Sequence, residues 1–128
     1  MQEHGSFEVK LVGQVLVIKA YDTWNVETVL RLCDECKSLT SQIIDEPWAA
    51  IIDLSCWELG TPEIWEPISK LDAWINENNY KYEAVIINSI LQKILLERSH
   101  EVLSNAETRF CKDINEAFSW LSDAGIKI

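Results

Sequence analysis

Apolar and polar residues alternate along Ser6–Val12, as they do in a strand with one buried face. The Gly13-Gln14 dipeptide supplies a short turn, and the apolar residues 15–18 predict a second strand, so the chain opens with a β-hairpin. Three later segments predict further strands: two nearly continuous apolar runs, typical of strands buried on both faces, and one short alternating run, typical of a strand near a sheet edge. They are residues 48–54, 83–88 and 107–111, respectively.

Four segments have the periodicity of amphipathic helices. The first follows Thr23 and Asn25, either of which can cap a helix. The second opens at Thr61-Pro62, because proline suits the first helical position, and Pro67 predicts that this helix becomes regular only beyond it. The apolar positions of the first helix are Val26, Val29, Leu30, Cys33 and Cys36, and those of the second are Ile64, Ile68, Leu71 and Ile75.

The remaining two helices are marked by their ends. Ser89 caps the third helix, and Asp113 with Glu116 forms a capping box before the fourth. Gly125 predicts the stop of the fourth helix. The apolar positions are Ile90, Leu91, Ile94 and Leu95 in the third helix, and Ile114, Ala117, Phe118, Leu121 and Ala124 in the fourth.

The predicted elements follow one another in the order β-β-α-β-α-β-α-β-α. The opening hairpin is antiparallel, whereas strands separated by helices are joined by crossovers and lie parallel. The predicted fold class is therefore α/β, with a single mixed sheet and helices packed against it. No linker, internal repeat or low-complexity stretch divides the chain, so we expect a single domain over residues 1–128.

The chain is strongly acidic, with 21 Asp and Glu, 11 Lys and Arg, and a net charge of −10. A field of this sign repels nucleic acid and anionic lipid headgroups, and the basic residues form no cluster, so we expect no nucleic-acid partner. The acidity either keeps the protein soluble or complements a basic surface on a partner protein. The N-terminal sequence is polar and no apolar run reaches the ~18 residues of a membrane span, which predicts a cytoplasmic protein without a signal peptide.

Cys33 and Cys36 have the CxxC spacing, but they lie about two turns inside a predicted helix and on its apolar face. A reactive pair sits at a helix N-terminus, where the positive end stabilises the thiolate, so we expect inert core residues. Zinc needs four ligands, and no second Cys/His pair has suitable spacing, so neither a metal nor another cofactor is predicted. Cys56 and Cys111 could approach each other at strand ends without completing such a site.

The sequence carries no catalytic signature. His4 lies in the polar terminus, and His100 follows a helix next to Ser99, where adjacency alone does not make a catalytic dyad. Glu63 and Glu66 suit the first turn of a helix, where carboxylates favour the dipole. The glycines are isolated and form no phosphate loop. We therefore expect a protein that is not an enzyme.

Three segments carry a family resemblance: IIDLSCWELGTPEIWE at 51–66, AVIIN at 84–88 and ETRFCKDINEAFSWL at 107–121. Together with the order of elements, they resemble the STAS superfamily, and within it the SpoIIAA-like branch of mostly uncharacterised bacterial proteins. The resemblance implies the STAS fold and a regulatory or protein-interaction role. The similarity of this branch to CRAL-TRIO lipid-carrier domains implies an apolar pocket between helices and sheet.

Classical anti-anti-sigma factors of that superfamily carry a phosphorylatable serine at the start of the helix that follows a DLSG-type strand end. Matching residues 53–55 to that strand end brings Pro62 near the serine's place, with Thr61 as the adjacent hydroxyl. Cys56 stands where the glycine follows in the family pattern. The resemblance therefore implies a STAS-like scaffold that lacks the usual phosphorylation switch.

Six tryptophans in 128 residues are the most informative feature. Trp24 and Trp57 follow strands and Trp65 opens a helix, at the sheet edge where α/β proteins bind ligands. With these three, Leu59, Thr61, Ser89 and Ile90 complete the candidate site. The aromatic rings either close the core beneath the loops or form an exposed patch for a partner.

Two functions follow from the exposed alternative. The first is a non-enzymatic interaction module that docks a protein partner at the loop after the third strand. The second is binding or carriage of a small apolar, lipid-like ligand in a pocket near the tryptophans. The partner in the first function could also be a second copy of the chain, because the opening hairpin exposes a strand edge at which two copies can pair.

Overall fold

The computed structural model describes residues 3–128 and consists of one five-stranded sheet with helices on both faces. The strands lie in the spatial order β1-β2-β3-β4-β5; β1 is antiparallel to β2, and every later neighbour is parallel. The predicted α/β class, the mixed sheet and the order of elements are confirmed. The strands are β1 (Ser6–Val12), β2 (Val15–Trp24), β3 (Trp48–Gly60), β4 (Tyr80–Ile86) and β5 (Glu107–Phe110).

Four α-helices connect and follow the parallel strands, with short 3-10 turns at Pro62–Ile64 and His100–Val102. Asn25 caps the first helix, where its side chain accepts a hydrogen bond from the Thr28 amide at 3.2 Å. Asp113 caps the fourth in the same way through the Glu116 amide at 2.8 Å, as the sequence predicts. The helices are α1 (Val26–Thr40), α2 (Trp65–Asn76), α3 (Ile90–Ser99) and α4 (Ile114–Asp123).

The sheet separates two apolar cores. Successive side chains of β2 point to opposite faces of the sheet and so contribute to different cores. Val15 and Val17 pack in the core under α4, whereas Leu16 and Ile18 pack in the core under the other helices. Both pairs are buried, as predicted for central strands. Cys33 and Cys36 are also buried, on the inner face of α1.

Strand lengths are where the sequence prediction was wrong. β2 continues beyond residue 18 to Trp24, and β3 continues through residues 55–60, which were predicted as a loop. The two extensions pair with each other, since Asp22 lies opposite Trp57 and Trp24 opposite Gly60 in the parallel register. Backbone pairing therefore keeps these polar residues extended. β4 begins earlier than predicted because Tyr80 packs in the core against Trp48, with ring centroids 4.8 Å apart.

The helix predictions also need correction. α2 is regular from Trp65, so Pro67 lies in its first turn, where its missing N–H breaks no hydrogen bond. Leu30 was assigned to the buried face of α1 but is 49% exposed. Three of the apolar residues predicted to bury α3 are also exposed, because the helix presents Gln92 and Leu96 to the core instead. These three are Ile90, Leu91 and Ile94.

Candidate functional site

The candidate site is the corner where β2 and β3 end. Trp24 is the last residue of β2 rather than a loop residue, and its carbonyl accepts a hydrogen bond from the Thr61 amide at 3.2 Å. Gly60 makes this close approach possible, because a Cβ at that position would lie 2.5 Å from the Trp24 carbonyl oxygen. Glycine at the end of β3 thus lets the two strand ends meet.

Three tryptophans meet at this corner, as the sequence predicts. The ring centroids of Trp24 and Trp57 are 5.2 Å apart, and those of Trp57 and Trp65 are 6.2 Å apart, both in edge-to-face arrangements. Trp24 and Trp57 are 4% and 3% exposed, whereas Trp65 is half-buried. The first two close the core, so an exposed patch built on their rings is wrong for this conformation.

The two buried tryptophans differ in one respect. The Trp24 indole N–H donates to the Ser6 carbonyl at 2.9 Å. The buried Trp57 indole N–H has no hydrogen-bond acceptor within the described chain. An N–H group in this state is rare in folded proteins, since most buried donors are paired.

The other predicted site residues surround the aromatic rings at different depths. Leu59 is half-buried and has a positive φ of 72°, a conformation that favours glycine. Thr61 and Ser89 are exposed, and Ile90 is 76% exposed. Ser89 caps α3, as predicted, by accepting a hydrogen bond from the Gln92 amide at 3.2 Å.

Thr61 lies in front of the Pro62–Ile64 turn without capping it. The Glu63 carboxylate accepts hydrogen bonds from its own backbone N–H and from the Thr61 hydroxyl, and these bonds lower the pKa of Glu63. The Thr61 hydroxyl therefore has a carboxylate as its neighbour.

Gln92 joins the corner to α3, a role that was not predicted from the sequence. Its side-chain amide donates to the carbonyls of Leu54 and Trp57 at 3.2 and 2.9 Å, and its oxygen accepts from the Asn88 amide at 2.9 Å. Gln92 is only 1% exposed. Two polar residues, Gln92 and Lys93, interrupt the apolar segment 90–96, and the uncharged one of the two faces the sheet.

Two concave features adjoin the rings. A cavity of about 80 Å³ lies between the sheet and helices α1 to α3, and its walls are almost entirely apolar, including all three corner tryptophans. An open groove of about 470 Å³ runs along the outside of Trp65, where Leu95, Arg98 and Glu101 line it. The Trp65 side chain lines both the cavity and the groove and therefore lies between them.

The surface of the corner is acidic. Exposed carboxylates lie on both strand ends and on the turn and helix that follow them; they are Asp22, Glu58, Glu63 and Glu66. Glu66 pairs with Lys70 at 3.4 Å, and both side chains are largely exposed, so this ion pair contributes little to stability.

The chemistry of the cysteines fits the predicted inert role. Burial raises the pKa of the Cys33 thiol to about 11 and that of the Cys36 thiol to about 12, so both stay protonated near neutral pH. Among the described side chains of residues 3–98 and 101–128, no group of three or more His, Cys, Asp or Glu is placed to hold a metal ion. The side chains of Ser99 and His100 lie outside the described part of the chain.

No helix within residues 3–128 combines the length and apolar character needed to cross a membrane. No protein-family model and no curated protein matches the chain.

Solved structures do match it. An uncharacterized protein of the DUF3478 family from Shewanella loihica, described as having a SpoIIAA-like fold, is 19% identical with a TM-score of 0.70, over 94% of this chain and 96% of that chain. The anti-sigma factor antagonist SpoIIAA, in its unphosphorylated form, is 10% identical with a TM-score of 0.66, over 94% and 100%. An anti-sigma factor antagonist from Mycobacterium paratuberculosis is 15% identical with a TM-score of 0.63, over 94% and 96%. The chain therefore has a SpoIIAA-like fold.

Proposed function

We propose that the chain is a non-enzymatic protein-interaction module that docks its partner at the start of α3. The docking surface consists of Ser89, Ile90, Leu91 and Ile94. Two structures of the same fold are anti-sigma factor antagonists, proteins that act on another protein. That likeness supports an interaction role here as a hypothesis, since identities of 10% and 15% establish the fold alone.

The observation that carries the proposal is the exposure of apolar residues on α3. Ile90 is 76% exposed, Leu91 53% and Ile94 48%. They occupy adjacent turns of one helix and therefore form a continuous apolar surface rather than scattered single residues. Gln92 fixes the helix to β3, so this surface is held rigidly at the edge of the corner.

The charge around the docking surface specifies the kind of partner. Exposed Glu58 directly follows Trp57, whose carbonyl accepts the hydrogen bond from Gln92 of α3, and the whole chain has a net charge of −10. A partner with an apolar centre and a basic rim complements this arrangement. A second copy of the chain would bring like charges together, which disfavours a homodimer through the same surface.

The lipid-like ligand finds less support. A pocket for a ligand of drug size has about 300 Å³ or more. The cavity at the corner has about 80 Å³. A lipid-like molecule is too large for it, and the open groove outside Trp65 encloses no apolar chain.

The experiment compares Leu91→Asp with Ile128→Asp as matched variants. Both residues are 53% exposed, but Ile128 lies beside the Gly13 turn at the opposite edge of the sheet. Proteins captured from a lysate of the source cell by the wild-type chain are identified and then purified. We expect at least one purified partner that binds Ile128→Asp like the wild type, loses binding to Leu91→Asp by about tenfold or more, and binds more weakly at high salt.

A partner that binds both variants equally would overturn the docking surface. A partner whose affinity does not depend on salt would overturn the basic rim. Sedimentation of the purified chain provides a further test, because a dimer that Leu91→Asp dissociates would replace the proposed partner with a second copy.

A further inference from the structure

The cavity beneath the tryptophans is separate from the docking surface, and its use does not depend on a protein partner. Its walls come from the sheet and from three helices, with Leu32 of α1, Ile68 of α2 and Leu96 of α3 opposite β3. A second cavity of about 50 Å³ (the lower cavity) adjoins the first (the upper cavity), and the two share four wall residues. Such apolar cavities stay free of water and accept apolar molecules when one of suitable size is present.

The volume limits the occupant. One water needs roughly 10–15 Å³ measured in this way, and a dry cavity of about 150 Å³ binds benzene. The upper cavity, at about 80 Å³, lies between these two values. It therefore suits a compact molecule smaller than benzene.

Trp57 supplies a polar contact in these apolar walls. Its ring lines the cavity, the side chain is 3% exposed, and its indole N–H has no acceptor within the described chain. A buried donor gains most from an acceptor that arrives without water, because the surroundings offer no competing hydrogen bond. A carbonyl or ether oxygen on the occupant provides such an acceptor.

Asp72 restricts the charge of the occupant. It belongs to α2, is 6% exposed, and lines both the upper and the lower cavity. A carboxyl group in these walls disfavours an anionic ligand, and the apolar surroundings disfavour any full charge that is not closely paired.

The entrance is defined by Trp65. Its half-buried ring lines the cavity on one side and the open groove of about 470 Å³ on the other. Rotation of one half-exposed side chain is fast compared with opening of a folded core. A small molecule therefore has a short path from solvent to the cavity.

We propose that this cavity is a binding site for a small uncharged molecule with a compact apolar body and one hydrogen-bond acceptor, of the class of cyclic ethers and ketones, and that the acceptor is bound by the Trp57 indole N–H.

Tetrahydrofuran and cyclopentane are suitable probes, because they have nearly the same shape and only the first carries an acceptor. Each is titrated into the ¹⁵N-labelled full chain, and the indole N–H resonances are followed, with that of Trp57 assigned by its loss in Trp57→Phe. We expect saturable shifts for tetrahydrofuran, largest at the Trp57 N–H, and affinity about 2- to 10-fold weaker for cyclopentane.

Two variants complete the test. Trp57→Phe removes the donor and should abolish the preference for tetrahydrofuran. Trp120→Phe changes a ring on the opposite face of the sheet, where it packs on Tyr82, and should leave both affinities unchanged.

Absence of saturable shifts at the cavity with either probe would overturn the site. Equal affinity for the two probes in the wild type would overturn the role of the Trp57 N–H, even where Trp57→Phe does not fold. Neither result bears on the docking surface, whose test uses α3 variants that leave the cavity walls intact.

Discussion

The side chain of Gln92 donates a hydrogen bond of 2.9 Å to the main-chain carbonyl of Trp57. This contact joins the first turn of α3 to the extended end of β3 and holds the tryptophan corner beside the exposed apolar surface. The remaining hydrogen-bonding groups of the Gln92 amide are also used, by Leu54 and Asn88. A buried polar residue satisfied in this way fixes one arrangement of its neighbours.

Replacement of Gln92 by leucine should therefore be costly. Gln92→Leu keeps the side-chain volume but removes the donor to the Leu54 carbonyl and leaves the Trp57 carbonyl with only the 3.4 Å bond from the Asn88 side chain. The free energy of unfolding should therefore fall by about 2–4 kcal/mol in urea denaturation. Gln42→Leu, at an exposed position after α1, is the matched control and should change it by less than about 0.5 kcal/mol. Equal effects of the two substitutions would contradict the role of Gln92.

The contrast between local and non-local information explains what the sequence could predict. Element order, strand direction and three helix caps depend on periodicity and on short-range chemistry, and these predictions were confirmed. The extension of β3 depends on its pairing with β2, in which Tyr21 lies opposite Cys56 and Trp24 opposite Gly60. The local sequence of residues 55–60 predicts a loop. These residues are extended because they pair with the neighbouring strand.

The candidate site, too, could be predicted only as far as local sequence information allows. The positions of Trp24, Trp57 and Trp65 after strands and at a helix start were enough to place the rings together. Their burial was not predictable, because it depends on how closely three helices cover the sheet. The same limit applies to α3, where Gln92 and Leu96 face inward and leave Ile90 exposed.

Loss of the indole N–H should destabilise the folded chain more at Trp24 than at Trp57. Trp24→Phe removes the bond to Ser6, whereas Trp57→Phe removes an N–H without an acceptor. Both side chains are nearly fully buried, so the loss of ring volume is similar. We expect the free energy of unfolding to fall by about 1 kcal/mol more for Trp24→Phe, measured in urea. A larger loss for Trp57→Phe would show that its N–H has an acceptor in solution.

The cysteines should differ in reactivity. Cys56 is exposed, whereas Cys33 and Cys36 are buried with thiol pKa values raised to about 11 and about 12 by burial. Brief treatment of the native chain with iodoacetamide near neutral pH should label Cys56 alone, since the thiolate is the reacting form. Peptide mass spectrometry gives the position of each label. Labelling of Cys33 or Cys36 at the rate of Cys56 would contradict the inert role.

The same thiols make stability depend on alkaline pH. Below pH 9.0, the ordinary pKa of a cysteine thiol, the folded and unfolded chains both keep the proton of Cys36, and its contribution to stability is fully present. Above that pH the unfolded chain loses the proton first, so stability falls by about 1.4 kcal/mol per pH unit until the folded pKa of about 12 is reached. Burial raises the pKa of Tyr80 well above 10, which adds a loss in the same direction at higher pH.

Urea midpoints measured at several alkaline pH values test this dependence. Cys36→Ala should show a smaller fall than the wild type, because the group that releases the proton is gone. Cys56→Ala is the control and should keep the wild-type slope, since its side chain is exposed in the folded chain. Identical slopes for Cys36→Ala and the wild type would count against burial of this thiol in solution.

Thr61 should not serve as a phosphorylation switch. Its hydroxyl interacts with the Glu63 carboxylate, and a phosphate there would carry a charge of about −2 against that carboxylate. The favourable effect of a helix N-terminus is reduced at Thr61, because a 3-10 turn separates it from α2. Incubation with ATP and a lysate of the source cell should therefore leave the intact mass of the chain unchanged. A mass gain of one phosphate that Thr61→Val abolishes would show instead that this threonine replaces the serine of the STAS pattern.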